Sequence, residues 1–80
     1  MDDAEIVRHI TELVDEEHQL ERSHDGKGLS DEELARLRDV EVSLDQCWDL
    51  LRQRRARRAA GEDPDDASVR GGDTVERYQQ

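Results

Sequence analysis

Two runs of apolar residues at helical spacing, separated by a glycine-bearing turn, restrict this chain to very few folds. In the first run, Ile6, Ile10, Leu13, Glu17 and Leu20 recur at steps of four, three, four and three, with Val7 and Val14 widening one flank. That is a heptad seam interrupted only by Glu17. In the second, Leu34, Leu37, Val40, Leu44, Cys47, Trp48 and Leu51 form one stripe, with no proline or glycine before Gly61. Between them, Ser23-His24-Asp25-Gly26-Lys27-Gly28 supplies the backbone freedom of a turn. Amphipathic helices over about 3–22 and 31–60, joined by so short a connection, fold back on each other. The expected fold class is all-α, an antiparallel, coiled-coil-like two-helix hairpin over residues 1–61.

The helix ends carry their own signals. Asp2 with Glu5 fits a capping box at the first N-terminus. Ser30 with Glu33 fits one at the second, with Leu29 and Leu34 at the two hydrophobic-staple positions around it. Gly61 suits the residue after the second helix, and Pro64 blocks continuation. With the loop as pivot, facing residue numbers sum to roughly 54. Leu34 then meets Leu20, Leu37 faces Glu17, Val40 meets Leu13 and Val14, and Leu44 meets Ile10. Trp48 covers Ile6 and Val7, Leu51 faces little beyond Ala4, and residues past 52 overhang the first helix.

How much such a hairpin buries is limited by its material. The chain has 80 residues, a net charge of −10 and two aromatics, Trp48 and Tyr78. A chain this short buries only about 60% of its unfolded surface, so a second copy, giving a four-helix bundle, is the natural supplement. An enclosed catalytic pocket needs more apolar residues than these, and paired carboxylates do chemistry only where a pocket shifts their pKa. The expectation is therefore no enzyme and no cofactor. Residues 62–80 open with Glu62-Asp63-Pro64-Asp65-Asp66 and pass through Gly71-Gly72. They read as a mostly irregular, flexible acidic tail, with a short terminal helix over 73–80, Val75 and Tyr78 on one side, as the alternative for its end.

Cys47 is the only cysteine, which leaves no disulfide framework and no thiolate zinc cluster. On the apolar stripe and without a neighbouring base, it reads as a structural thiol. The acidic start Met1-Asp2-Asp3, followed by no long apolar run, points away from a signal peptide or membrane span and toward the cytosol. Glu17, His18, Glu21, His24 and Asp25 invite a metal reading, but the histidines are six apart, no helical ligand spacing, and a solvated acidic face accounts for them better.

Charge distribution is more informative than charge. Residues 1–50 hold sixteen Asp and Glu against five Lys and Arg; residues 51–60 hold five Arg and no acid; residues 61–80 hold six acids against two Arg. Arg52, Arg54, Arg55, Arg57 and Arg58 thus form a basic sleeve between acidic blocks. Forked guanidinium donors suit phosphate or carboxylate. The structural account is as good: cations favour a helix C-terminus, and Glu62, Asp63, Asp65 and Asp66, with Asp2, Asp3 and Glu5 nearby, can neutralise them within the chain. Trp48 also has two readings. It is a seam residue, yet two helices cannot enclose an indole, so with Cys47 and Leu51 it leaves an apolar patch at the open end of the hairpin.

The stretch Leu44-Asp45-Gln46-Cys47-Trp48-Asp49-Leu50-Leu51-Arg52-Gln53-Arg54-Arg55-Ala56-Arg57-Arg58, with Glu16-Glu17-His18 and the closing Val75-Glu76-Arg77-Tyr78, resembles a family of small actinobacterial proteins described only as a domain of unknown function. The resemblance covers nearly the whole chain, although the family more often has prolines where Gly71-Gly72 stand here. It implies a source phylum and no activity. From the residues themselves, the leading expectation is a protein–protein interaction module, a small cytosolic adaptor or regulator, homodimeric, whose partner-facing residues are Trp48, Leu51, Arg52, Arg54, Arg55, Arg57 and Arg58. The alternative is a nucleic-acid- or transcription-machinery-associated factor using the same arginines, or probing a basic channel with Asp25, Asp31, Glu32 and Glu33 at the acidic loop end. A third is an enzyme whose site forms at an oligomer interface. Membrane binding is not expected of so acidic a chain.

Overall fold

The computed structural model describes residues 1–22 and 28–72, which form helix α1 (Asp3–Arg22), helix α2 (Asp31–Ala59) and a short 3-10 turn η1 (Pro64–Asp66). Both helix starts follow from their caps. The Asp2 carboxylate accepts a hydrogen bond from the Glu5 amide at 2.8 Å. At α2 the box is reciprocal: Ser30 Oγ accepts from the Glu33 amide, and the Glu33 carboxylate accepts from the Ser30 amide, both at 3.2 Å. Its staple closes less tightly, since Leu34 stays 46% exposed.

The end of α2 is a Schellman turn. Gly61 takes the left-handed conformation at φ 76°, the Glu62 amide donates to the Arg57 carbonyl at 2.7 Å, and the Gly61 amide donates to the Arg58 carbonyl at 3.1 Å. An Arg57–Glu62 ion pair at 3.6 Å lies across that turn, where an apolar contact is usual.

The two helices pack against each other as an antiparallel hairpin 51 Å long and only 16 Å through its thinnest dimension. A helix with side chains is about 10–12 Å across, so the core is one layer deep. Its main cluster is Ile6, Ile10, Leu50 and Leu51, with Val14, Leu44, Cys47 and Ala67 packed against it. Leu13 and Val40 are buried as well. The expected loop residues 23–27, and the terminal helix proposed for 73–80 with Val75 and Tyr78, lie outside the described residues.

The register of the open end differs from the sequence expectation. Leu51 does not face empty space beside Ala4; it is 2% exposed and shares a cluster with Ile6. Trp48 is not a seam residue; it is 45% exposed. Nor does α2 overhang α1 from residue 52 onward, because Arg54 and Arg58 both reach Asp3. A third layer, which periodicity could not reveal, also covers α2. After η1, residues 67–72 run back along α2 as a strap. Ala67 packs against the core cluster, Gln53 Nε2 donates to the Ser68 carbonyl at 2.7 Å, and Gln46 Nε2 donates to the Arg70 carbonyl at 3.1 Å. At the far end Gly72 meets Val42 so closely that a Cβ there would lie 2.8 Å from Val42 Cγ1. With about 100° of rotation per residue, Leu50 lies roughly 160° around α2 from Trp48, so the strap adds a second buried face on the side away from the indole.

Candidate interaction surface

Arg54 organises the open end. Its side chain is 8% exposed, and its guanidinium donates to Asp3 at 2.6 Å, to Asp65 at 2.9 Å and to the Pro64 carbonyl at 3.3 Å. One side chain thus ties the start of α1, the end of α2 and the turn that follows. Arg58 donates to the other oxygen of Asp3 at 2.6 Å. Hydrogen bonds from Arg58 and Arg54 hold the Asp3 carboxyl at a pKa of about 2, well below its usual range. The hydrogen bonds that Arg54 donates to Asp3 and Asp65 raise its own pKa.

The arginine sleeve is therefore split. Arg54, Arg57 and Arg58 are held by Asp3, Asp65 and Glu62 within the chain. Arg52 and Arg55 are exposed and make no ion pair with any described residue. Leu51 and Arg54, both expected to face a partner, point into the fold. What remains outward on that stretch of α2 is Trp48, Arg52 and Arg55, continued toward the helix start by Asp45 and Glu41.

The opposite flank of α2 holds the strap. Asp49 is 5% exposed, accepts from Gln53 Nε2 at 2.9 Å and faces Arg70 Nε at 3.5 Å. Gln46, Asp49 and Gln53 were not among the expected site residues, because a polar stripe at three-and-four spacing reads in sequence as a solvated helix face. Where the strap leaves α2, a shallow open groove is lined by Gln53, Ala56, Arg57, Ala60, Glu62 and Arg70, and its two arginines are already engaged by Glu62 and Asp49. Among the described residues no three His, Cys, Asp or Glu side chains are grouped to hold a metal ion. His24 and Asp25 of the metal reading lie outside them. Cys47 is partly buried, and that burial raises its thiol pKa.

Compared with known families, residues 2–80 match the one described as "Protein of unknown function (DUF2630)". The chain belongs to this family. The DUF2630 resemblance read from Leu44–Arg58 is thereby established, as is its actinobacterial setting. The chain is similar to the uncharacterized protein Rv0898c of Mycobacterium tuberculosis and to the uncharacterized protein Mb0922c of Mycobacterium bovis. Each is 52% identical over 77 residues, covering 95% of this chain and 88% of the relative. No solved structure matches this DUF2630 chain at a significant level. No described helix is long and apolar enough to cross a membrane.

Proposed function

We propose that this DUF2630 chain is a non-enzymatic protein-contact module, a small adaptor or regulator working in the cytosol, whose contact face is the side of α2 that carries Trp48. The observation that carries the reading is the indole itself. Trp48 stands 45% exposed on a well-capped helix while its neighbours Leu50 and Leu51 are almost fully buried. Tryptophan in solvent loses the stabilisation its area would bring inside, and it is over-represented among residues that dominate binding energy. The exposed Arg52 and Arg55 supply a polar rim, the usual surround of such an anchor.

The nucleic-acid alternative has less support. It needs a continuous cationic track, and three of the five arginines are occupied by the chain's own carboxylates.

The test is quantitative capture of partners on immobilised wild type, Trp48→Glu and Arg52→Glu/Arg55→Glu, each checked for equal helicity by circular dichroism. Partners retained by wild type and lost by both variants are expected. Equal recovery on all three would remove Trp48 from the contact face. Salt-sensitive binding to a labelled DNA duplex, abolished by Arg52→Glu/Arg55→Glu, would move the reading to the alternative.

A further inference from the structure

We infer that the occupant of this face is a second copy of the same chain, packed antiparallel through α2 about a two-fold axis at Trp48. The inference rests on the proposed contact face and adds its partner and geometry.

The argument is charge order along one stripe. At about 100° per residue, Glu41, Asp45, Trp48, Arg52 and Arg55 fall within an arc of roughly 80°. That arc is turned away from α1, which meets Leu51 and Arg54, and from the strap, which meets Val42, Gln46 and Gln53. Four of the five are exposed, Asp45 is half-buried, and none of the charged four has an ion pair among the described residues. The acids all precede Trp48 and the bases all follow it.

A two-fold axis imposes a simple rule: if residue i of one copy meets residue j of the other, then j meets i. With Trp48 on the axis of an antiparallel pair, Arg55 directly faces Glu41 of the second copy, and Arg52 comes within one residue, about 1.5 Å of rise, of facing Asp45. Both pairs occur twice, so one indole pair is flanked by four ion pairs and no like-charge contact. A parallel pairing in register sets Arg52, Arg55, Glu41 and Asp45 each against itself. An antiparallel pairing centred on Glu41 faces two carboxylates across the axis. Of these three arrangements the Trp48-centred one alone is self-complementary and sets the two indoles against each other, and like-charge juxtaposition is what excludes the other two. Exposed ion pairs contribute little individually, so the indoles supply affinity and the charges supply register.

Sedimentation velocity over about 10 to 500 µM, the range for a contact of this modest size, tests it. Wild type should shift from monomer to dimer, more weakly at high salt. Arg52→Glu/Arg55→Glu and Glu41→Arg/Asp45→Arg should each lose at least tenfold in association, while their equimolar mixture forms a heterodimer with all four pairs restored, two in the native sense and two reversed. Glu41 and Arg55 are fourteen residues apart, about 21 Å along one helix, so that rescue has no route within a single chain. A monomeric wild type overturns the inference, as does a dimer indifferent to charge reversal or a mixture that fails to associate. In each case the capture comparison still decides whether the face binds another protein.

Discussion

Replacing Leu51 by alanine should cost more stability than replacing Trp48, the reverse of what residue size suggests. Leu51 is 2% exposed and packs with Ile6, Ile10 and Leu50. Truncating a leucine so buried costs about 2.7–5 kcal/mol, less where the site can collapse. This core is one layer deep within a 16 Å thickness, so the low end applies, about 3 kcal/mol. Against a total of roughly 4–12 kcal/mol for a chain of this length, that is a large fraction. It corresponds to a fall in melting temperature of roughly 12–24 °C. Trp48, 45% exposed, buries about half of a tryptophan's 150–250 Å², and its loss opens no sealed cavity, so about 1–3 kcal/mol is expected. Urea unfolding followed by far-UV circular dichroism at low micromolar concentration, where self-association contributes least, measures both. A Trp48→Ala variant less stable than Leu51→Ala would refute the register and, with it, the assignment of Trp48 to a contact face.

Three further outcomes follow from the open end and the strap. Asp3 titrates at about 2 when folded against 3.8 as its ordinary value, so its ion pairs contribute fully above the unfolded value and are lost as pH falls through the folded one. Asp3→Asn should therefore lower the urea midpoint at neutral pH and flatten its decline between pH 4 and pH 2, read from midpoints across that range. Burial raises the Cys47 thiol, so a disulfide reagent at mildly alkaline pH should modify it slowly in the folded chain and rapidly in urea. Gly72→Ala places a methyl group 2.8 Å from Val42 Cγ1; it should raise amide exchange along residues 67–72, and Val42→Ala in the same chain should restore protection.

The helices and their ends were legible because their determinants are local. Ser30 and Glu33 are three residues apart, Gly61 and Arg57 four, and a capping box or Schellman turn reads the same in any context. Neutralisation of the arginine sleeve by flanking acids was legible as a possibility, since opposite charges near both ends of the sequence had to share the open end of an antiparallel hairpin. Which arginine would be buried was not, for Arg54 differs from Arg55 only in helical phase. Seven apolar residues from Leu34 to Leu51 span an arc of roughly 140° centred between Trp48 and Leu51, so their pattern alone does not say which of the two is buried. Long-range contacts made by a single alanine and by glutamine side chains leave no periodic trace.

The strap is gripped mainly through its own main chain: Gln53 and Gln46 bind the carbonyl oxygens of Ser68 and Arg70, and Gly72 abuts Val42 with no side chain of its own. A carbonyl is offered by every residue type, so this grip does not depend on what residues 68 and 69 are. Val69, 61% exposed, is free to change without loosening the third layer. Mutational tolerance should thus run opposite to appearances, with the regular helix α2 intolerant at its two glutamines and the irregular strap permissive everywhere except Ala67, Arg70 and Gly72.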